Sequence, residues 1–408
     1  MIGMHNRAKR ALAIVADRVL SAAAPVLVRG QEHHARLPAR PRVLVIRCDH
    51  IGDAAMAAAG LGALRERLGA VRLDVLVAPW TVELFERDPA VDEVISYAAP
   101  WWAKARGASL DTRLLAWLRL PTTIARLRRG RYDIGIDLRG DLRHILFFLA
   151  LGACRERMGT DRTGGSALLT RCWPFDDSLH ELDKNEAILR HAGADLDWRG
   201  SVAPPPLSVR LARLLGPASG ERGFIALAVR GNKENRNWSS RLAADFARLV
   251  SDRLDLGVVY IGGSRDRAVG DRVCAASSRC VNVAGITSLS DSLAVLGAAR
   301  ALVTVDSGPM HLAGLLAVPT LALFGAGDPR QFGPWAPRHQ VLGAPHGCHC
   351  PLADTCRLSP DGRGVCMDQL RPEAVYDALI ALLDHSGVAD SSPSTTHSLL
   401  TATRGAAS

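Results

Sequence analysis

At 408 residues the chain is too long for one ordinary hydrophobic core and suits two domains with extensions. Apolar residues at 48% against 22% charged exclude a disordered chain, and every apolar run is broken by charge short of a bilayer span. A formal charge of +9 favours an anionic partner, which composition alone leaves as a nucleotide, a phosphorylated glycolipid, a membrane surface or nucleic acid.

Residues 1–30 begin with His5, Arg7, Lys9 and Arg10 and continue into Ala-Leu-Ala-Ile-Val-Ala, the outline of a secretory leader until Asp17 and Arg18 interrupt its apolar core. An ion pair at that place argues against a leader. The segment reads as a basic amphipathic helix that either lies on a membrane surface or packs on the protein's own body. Cytoplasm is the expected location, with peripheral contact to the inner membrane. Nine cysteines agree with a reducing compartment, being odd in number with five of them scattered.

Strand-like apolar runs then alternate with helical patterns. Residues 42–47 read as a buried strand, 53–68 as a small-residue helix, 73–77 as a strand, 82–87 as a helix and 93–97 as a strand. A long basic helical region follows, then strand 133–138 and helix 141–151. Residues 200–208, with Pro204, Pro205 and Pro206, punctuate the chain. The rhythm resumes with strands at 224–229, 258–261, 281–284, 301–305 and 320–324, separated by helices at 240–254, 266–277, 288–299 and 308–317. Continuous Val/Ile/Leu strands are covered on both faces, as in a parallel sheet. The fold class is α/β, two doubly wound parallel-sheet domains facing a cleft. The boundaries are a basic extension at 1–40, an N-terminal α/β domain at 41–200, a C-terminal α/β domain at 201–385 and a disordered Ser/Thr/Ala-rich tail at 386–408.

The strongest local signal is Val303-Thr304-Val305-Asp306-Ser307-Gly308-Pro309-Met310-His311. A buried strand ends at Asp306, the chain turns at Ser307 and Gly308, and Pro309 sits near the first helical position, where its missing N–H costs nothing. The helix N-terminus so formed suits a pyrophosphate. A plain helix capped by Asp306 or Ser307 is the bland alternative.

Asp306-Ser307-Gly308-Pro309-Met310-His311-Leu312-Ala313, followed by Val318-Pro319 and Leu323-Phe324-Gly325, resembles the signature of glycosyltransferase family 9, which includes the ADP-heptose–lipopolysaccharide heptosyltransferases. Val43 to Arg47 with Ile51-Gly52-Asp53, Tyr132 to Gly140, and Arg157-Met158-Gly159 match the same family in order. The resemblance implies a GT-B architecture, inverting transfer, and a nucleotide-sugar held mainly by the C-terminal domain. It implies Asp53 as general base, Asp306, Ser307, Gly308, Met310 and His311 as the donor loop, and Asp266 on the nucleoside ribose. Where the family places a Lys two residues before a Trp, this chain has Arg236-Asn237-Trp238, with Lys233 further back. Arg236 bidentately, or Lys233, is expected on a donor phosphate.

The lone Asp-x-Asp, Asp195-Leu196-Asp197, adjoins the linker and follows no strand, so it reads as surface turn chemistry. No metal is expected in the chemistry. Cys348, Cys350, Cys356 and Cys366, with His346 and His349 nearby, admit a structural zinc, with reduced thiols in a loop as the favoured reading. Between residues 104 and 131 eight Lys and Arg face a single Asp111, accompanied by Trp101, Trp102 and Trp117. That mixture suits an anionic lipid surface or phosphorylated glycolipid, against a solvated helical face as the ordinary alternative. No nucleic-acid-binding motif accompanies the charge. Arg139 and Arg143 are expected on the acceptor side.

The resemblance implies metal-independent inverting transfer of a sugar, heptose from ADP-heptose first among donors, to a lipopolysaccharide core or related envelope glycan. The rivals are transfer from a different nucleotide-sugar, a nucleotide-sugar epimerase of the same architecture, and a non-catalytic nucleotide-binding module.

Overall fold

In the computed structural model, which describes residues 7–28, 37–103, 109–192, 202–216, 218, 222–344, 355–359 and 362–384, the chain divides into two units, Met1–Trp198 and Arg199–Ser408. The first carries β1 (Arg42–Arg47), β2 (Arg72–Val77), β3 (Glu93–Ser96), β4 (Ile134–Asp137), β5 (Glu156–Thr160) and β6 (Arg171–Trp173). The second carries β7 (Phe224–Ala228), β8 (Gly257–Tyr260), β9 (Cys280–Asn282), β10 (Leu302–Val305), β11 (Thr320–Phe324) and β12 (His339–Gly343). β4, β7, β8, β10 and β11 are buried along their whole length. Strands that expose neither face need helices on both, and the parallel sheet with crossover helices supplies them.

The sheets run in the orders β3-β2-β1-β4-β5-β6 and β12-β11-β10-β7-β8-β9. The second is the first read from its other edge. In each, the order reverses beside the unit's first strand, where crossover loops diverge and leave a crevice at the strands' carboxyl ends. In the first unit Ile46 lies opposite Asp137 across β1 and β4. In the second, Thr304 of β10 lies opposite Ala228 of β7. The loops after β1 and β4 therefore leave their sheet side by side, as do those after β7 and β10.

Three features depart from the sequence reading. The helix expected at 53–68 is two, Ile51–Ala58 and Leu61–Leu68, broken where Gly60 and Gly62 weaken helix propensity. β5, β6, β12 and the helix Pro372–Asp384 form without having been anticipated. β6 is a three-residue edge strand with two exposed positions, and β5 carries a buried Arg157, so neither offers an apolar run. Cys274 and Cys280 form a disulfide, Cα–Cα 4.7 Å, where scattered reduced thiols were expected; both flank the turn that leads into β9.

The N-terminal helix Arg7–Leu27 packs on the first unit. Ala24 joins a buried cluster with Ile145, Ala150 and Leu168, and Asp17 Oδ1 accepts from the Gly165 N–H at 2.6 Å. Asp17, the charge that spoils a leader, thus ties the helix down. The second core centres on Trp238, Phe246, Tyr260 and Leu379. The expected tail at 386–408 and the Asp195-Leu196-Asp197 turn lie outside the described residues.

Candidate active site

In the first unit, β1 ends in Arg47, which is 2% exposed and held on four sides. Its Nη1 donates to the Leu138 carbonyl at 2.6 Å and to Asn185 Oδ1 at 3.1 Å. Its Nε lies 3.1 Å from Asp49 Oδ1 and its Nη2 3.1 Å from Asp53 Oδ1. Asp49 is fully buried, and its second oxygen accepts from Arg139 Nη1 at 2.6 Å. Asp53 is 18% exposed. Of the two carboxylates on Arg47, one is sealed and the other reaches the surface.

Asp53 is the third residue of the helix Ile51–Ala58, whose N-cap is His50. Asp53 is therefore not the cap of this helix. Its place in the first turn still lets the helix dipole stabilise its negative charge.

The loop after β4 closes the cluster. Asp137 Oδ2 accepts from the Asp141 N–H at 2.9 Å, and Asp137 Oδ1 lies 3.1 Å from His144 Nδ1. Gly140 takes φ +69°, and a Cβ there would stand 2.3 Å from Thr160 Oγ1, so only glycine carries the chain from Arg139 to Asp141. Asp141 caps the next turn through the Arg143 N–H at 3.0 Å and binds the Arg143 guanidinium through both oxygens, at 2.8 and 2.6 Å. Burial pushes the Asp49 carboxyl up, and Arg47 and Arg139 pull it back. Burial also tends to lower the Arg139 pKa, but Asp49, Asp53 and Asp141 raise it overall, so Arg139 stays charged. Against the upward push of burial, His144, Arg143 and Arg139 hold Asp141 below the usual carboxylate range.

In the second unit, β10 delivers Asp306 and the following turn delivers Ser307. Asp306 Oδ2 accepts from Arg236 Nη1 in a close ion pair. Arg236 comes from the loop after β7, so the pair bridges the switch point. Arg236 Nε is buried and finds no acceptor among the described residues. Asn237 fixes this loop by accepting from the Gly231 N–H at 2.8 Å and donating to Glu234 Oε2 at 2.9 Å. Trp238 anchors its end through the Leu370 carbonyl at 3.0 Å. Gly327 has φ +122°, and a Cβ there would stand 3.2 Å from Asp306 Oδ2 and 3.7 Å from the Arg236 guanidinium carbon.

No side chain caps the helix Gly308–Leu315, and Pro309 sits in its first turn. Ser307 Oγ instead lies 3.1 Å from Thr304 Oγ1, so the plain-cap alternative is not what forms. Lys233 immediately precedes the turn Glu234–Arg236 and is half-buried. Arg236 meets Asp306. Asp266 accepts from the Gly263 N–H at 2.9 Å and lies 3.4 Å from Arg230 Nε. It fixes the loop after β8 beside the same sheet edge.

One donor-loop expectation needs correction. The Met310 side chain is wholly buried against Ala322 and Phe324, and its N–H donates to the Ser307 carbonyl at 3.2 Å, so it packs the helix onto β11 rather than lining the site. His311, expected in the donor loop, is 6% exposed, comparable to Asp306 at 9%. On the acceptor side, Arg139 is committed to Asp49, and Arg143 to Asp141 and to the Trp101 face, 4.9 Å from its centroid.

Cys356 and Cys366 are buried; Cys348 and Cys350 lie outside the described residues, as do His346 and His349. Among the described residues no group of three or more His, Cys, Asp or Glu side chains could hold a metal ion. Sequence reasoning missed Arg47, Asp49, Asp141 and Gly327. The first two lie beside a recognised strand end in Ile46-Arg47-Cys48-Asp49, where a charged pair at the end of an apolar strand was the available signal.

The sequence profile for glycosyltransferase family 9 (heptosyltransferase) matches residues 122–360. The chain is 25% identical over 361 residues to lipopolysaccharide heptosyltransferase 1 of Pseudomonas aeruginosa, covering 84% of this chain and 98% of that protein. It is 26% identical over 375 residues to lipopolysaccharide heptosyltransferase 2 of Salmonella typhimurium, covering 85% and 100%. The solved structure of Escherichia coli ADP-heptose lipopolysaccharide heptosyltransferase II superposes with a TM-score of 0.63 at 23% identity, over 84% of this chain and 99% of that one. That structure is similar in fold.

Proposed function

The chain belongs to glycosyltransferase family 9, whose profile spans more than half of it, and from that premise we propose that it transfers heptose from ADP-heptose to an anionic glycolipid of the lipopolysaccharide core. The relatives' names support this donor and acceptor class. Asp53 is the general base. It takes the proton of the acceptor hydroxyl as that oxygen bonds to the anomeric carbon. The carbon–oxygen bond to the diphosphate breaks on the opposite side, so the configuration inverts and ADP departs with the electron pair.

The observation that carries this reading is the partly exposed Asp53 carboxylate beside the buried Arg47–Asp49 pair. Arg47 and the helix dipole make Asp53 a weak base. A weak base suffices where the anomeric carbon gains positive charge first and the attacking hydroxyl becomes acidic late. Arg236, with its unsatisfied Nε, and the uncapped helix after Ser307 are suited to the leaving diphosphate. Lys233 adds charge nearby, and Asp266 serves the ribose. No step is routed through a metal.

The test is acceptor-dependent release of ADP, measured by mass spectrometry with ADP-heptose and a lipopolysaccharide-core acceptor. Release only with acceptor present, with an inverted glycoside as product, is expected. Turnover of donor alone supports the epimerase instead.

Two helices of the first unit support membrane contact. Leu110, Leu114 and Leu118, four residues apart on the helix Leu110–Gly130, are exposed along with Leu115 and Trp117, whereas Ala116, Leu120 and Leu127 face inward. The same helix exposes Arg119, Arg126, Arg128 and Arg129. Val15, Val19 and Val26 form a second exposed apolar stripe on Arg7–Leu27. Both helices pack against the segment 145–150. No described helix is long and apolar enough to cross a membrane. Apolar stripes beside arginines suit the surface of an anionic bilayer. The protein should bind phosphatidylglycerol vesicles, release them in salt, and lose binding in a Leu114→Glu, Leu118→Glu variant. Equal binding to neutral phosphatidylcholine vesicles contradicts this.

A further inference from the structure

Asn185 lies on the helix Glu181–His191, which packs against Ile51–Ala58, the helix that carries Asp53. Glu181, Lys184, Asn185 and Ile188 share a buried face of that helix. Asn185 is fully buried, and its Oδ1 accepts from Arg47 Nη1 at 3.1 Å across 138 residues of chain. The same Nη1 donates to the Leu138 carbonyl at 2.6 Å. Asp49 holds the Nε side of the guanidinium at 3.1 Å, and Nη2 meets Asp53 at 3.1 Å. A guanidinium is rigid and planar, so contacts that fix Nη1 and Nε also fix the direction of Nη2. The Asp53 carboxylate is thus oriented in part by an amide on a different helix.

The contact calls for an uncharged acceptor. Arg47 has only donors, so the Asn185 amide must present its oxygen and turn its Nδ2 away. That Nδ2 is buried and finds no acceptor among the described residues. A buried donor without an acceptor lowers stability, and an apolar side chain of similar size would pack there without that penalty. A purely structural role therefore does not account for asparagine here. A carboxylate would satisfy Arg47 as well, but it would disturb Asp53. Around Arg47, Asp49 and Asp53 are in contact, Glu181 and Asp137 act at longer range, and the cations Arg139 and Arg162 lie beyond. Glu181 is itself paired with Lys184 at 2.7 Å. Burial tends to lower the Arg47 pKa, but Asp49, Asp53, Glu181 and Asp137 raise it overall, so Arg47 stays charged. Arg47 and Arg139 then balance Asp49 and Asp53. A third carboxylate against Arg47 would leave excess negative charge, which favours the protonated form of Asp53.

We propose that Asn185 is a positioning residue for the transfer reaction: its neutral amide oxygen fixes the Arg47 guanidinium, and through it the Asp53 carboxylate that takes the acceptor's proton. Asn185 acts through Arg47 and exchanges no proton itself. The inference rests on the reading of Asp53 as general base and adds the residue that orients it.

Steady-state release of ADP from ADP-heptose with a lipopolysaccharide-core acceptor tests it in variants of the full-length protein, with thermal midpoints measured alongside. Asn185→Leu removes the oxygen. Its kcat should fall about tenfold, as loss of one hydrogen bond to a charged group implies, with donor KM and thermal midpoint near wild type. Asn185→Asp keeps an oxygen on Arg47 but adds charge. The acid limb of its pH–kcat profile should move up by roughly one pH unit, with turnover close to wild type above that limb. In the Asp53→Asn background, Asn185→Leu should cause no further loss, because the carboxylate it positions is gone. Wild-type kcat in Asn185→Leu, an unmoved acid limb in Asn185→Asp, or a tenfold loss that persists without Asp53 overturns the inference. Should Asn185→Leu fail to fold, the pH profile of Asn185→Asp decides. Wild-type turnover in Asp53→Asn alone would instead strike the reading of Asp53 as base, so the two failures are distinguishable.

Discussion

The two sheets share one strand order and place charged side chains at the same topological position, yet they build opposite environments there. At the β1/β4 switch point, two arginines and two aspartates lock one another, with Arg47 and Asp49 out of solvent and Asp53 at the rim. At the β7/β10 switch point, an Arg236–Asp306 pair is flanked by Gly327 and a helix end without a side-chain cap, and Arg236 Nε is buried with no hydrogen-bond acceptor among the described residues. The first arrangement pairs its charges with one another and fixes one carboxylate in place. The second leaves positive potential unspent, as a site for an anion should. On the proposed reading, the same topology supports a proton acceptor in one unit and a diphosphate cradle in the other, and the division rests on a few loop residues.

The largest expected effect breaks the first half of the comparison. Asp53→Asn keeps the size of the side chain but removes the base, and transfer should fall by about a hundredfold or more, with the thermal midpoint near that of wild type. Wild-type turnover in this variant would place the base elsewhere. Arg236→Gln addresses the second half. It should raise the donor KM by roughly tenfold to a hundredfold, the worth of a charge-assisted contact, while turnover at saturating donor changes little. A fall in turnover with unchanged donor KM would contradict the diphosphate role.

The repeating strands were legible because buried parallel strands are written as nearly continuous apolar runs, and β1, β7 and β11 show this plainly. β5 and β6 were not legible. Buried Arg157 in β5 donates to the Leu168 carbonyl at 2.6 Å and the Cys154 carbonyl at 2.9 Å, a compensation that exists only once the chain has folded. Asp306 stood out from local pattern, just beyond a strand, and Asp53 from the family resemblance of Ile51-Gly52-Asp53. Arg47, Asp49 and Arg139 could not be joined in advance, because their contacts span about ninety residues of chain. Met310 was misassigned for a related reason: its neighbours in sequence line a loop, but helical geometry turns its own side chain onto β11.

Gly327→Ala gives a smaller effect. Its positive φ should cost about 1–3 kcal/mol of stability, and the new methyl would crowd Asp306 and Arg236, so donor affinity should fall with it. Unchanged chemical denaturation and donor KM would show that the loop relaxes freely.

The smallest effect is a pH signature of the first cluster. A carboxylate whose folded pKa is depressed stabilises the protein at every pH above its unfolded value of about 4, and that contribution is lost as pH falls through the folded value. Asp141 is such a group. Asp141→Asn should therefore lower the thermal midpoint by a constant amount above about pH 5, and the gap should close as the pH falls further. A gap that stays flat down to pH 3 would contradict the ion-pairing described for Asp141.

The most direct test of the division of labour is calorimetric titration of ADP into wild type, Asp53→Asn and Arg236→Gln. The account predicts that Asp53→Asn binds ADP within about twofold of wild type and that Arg236→Gln binds it at least about tenfold more weakly. Loss of ADP binding in Asp53→Asn, or wild-type affinity in Arg236→Gln, would contradict it.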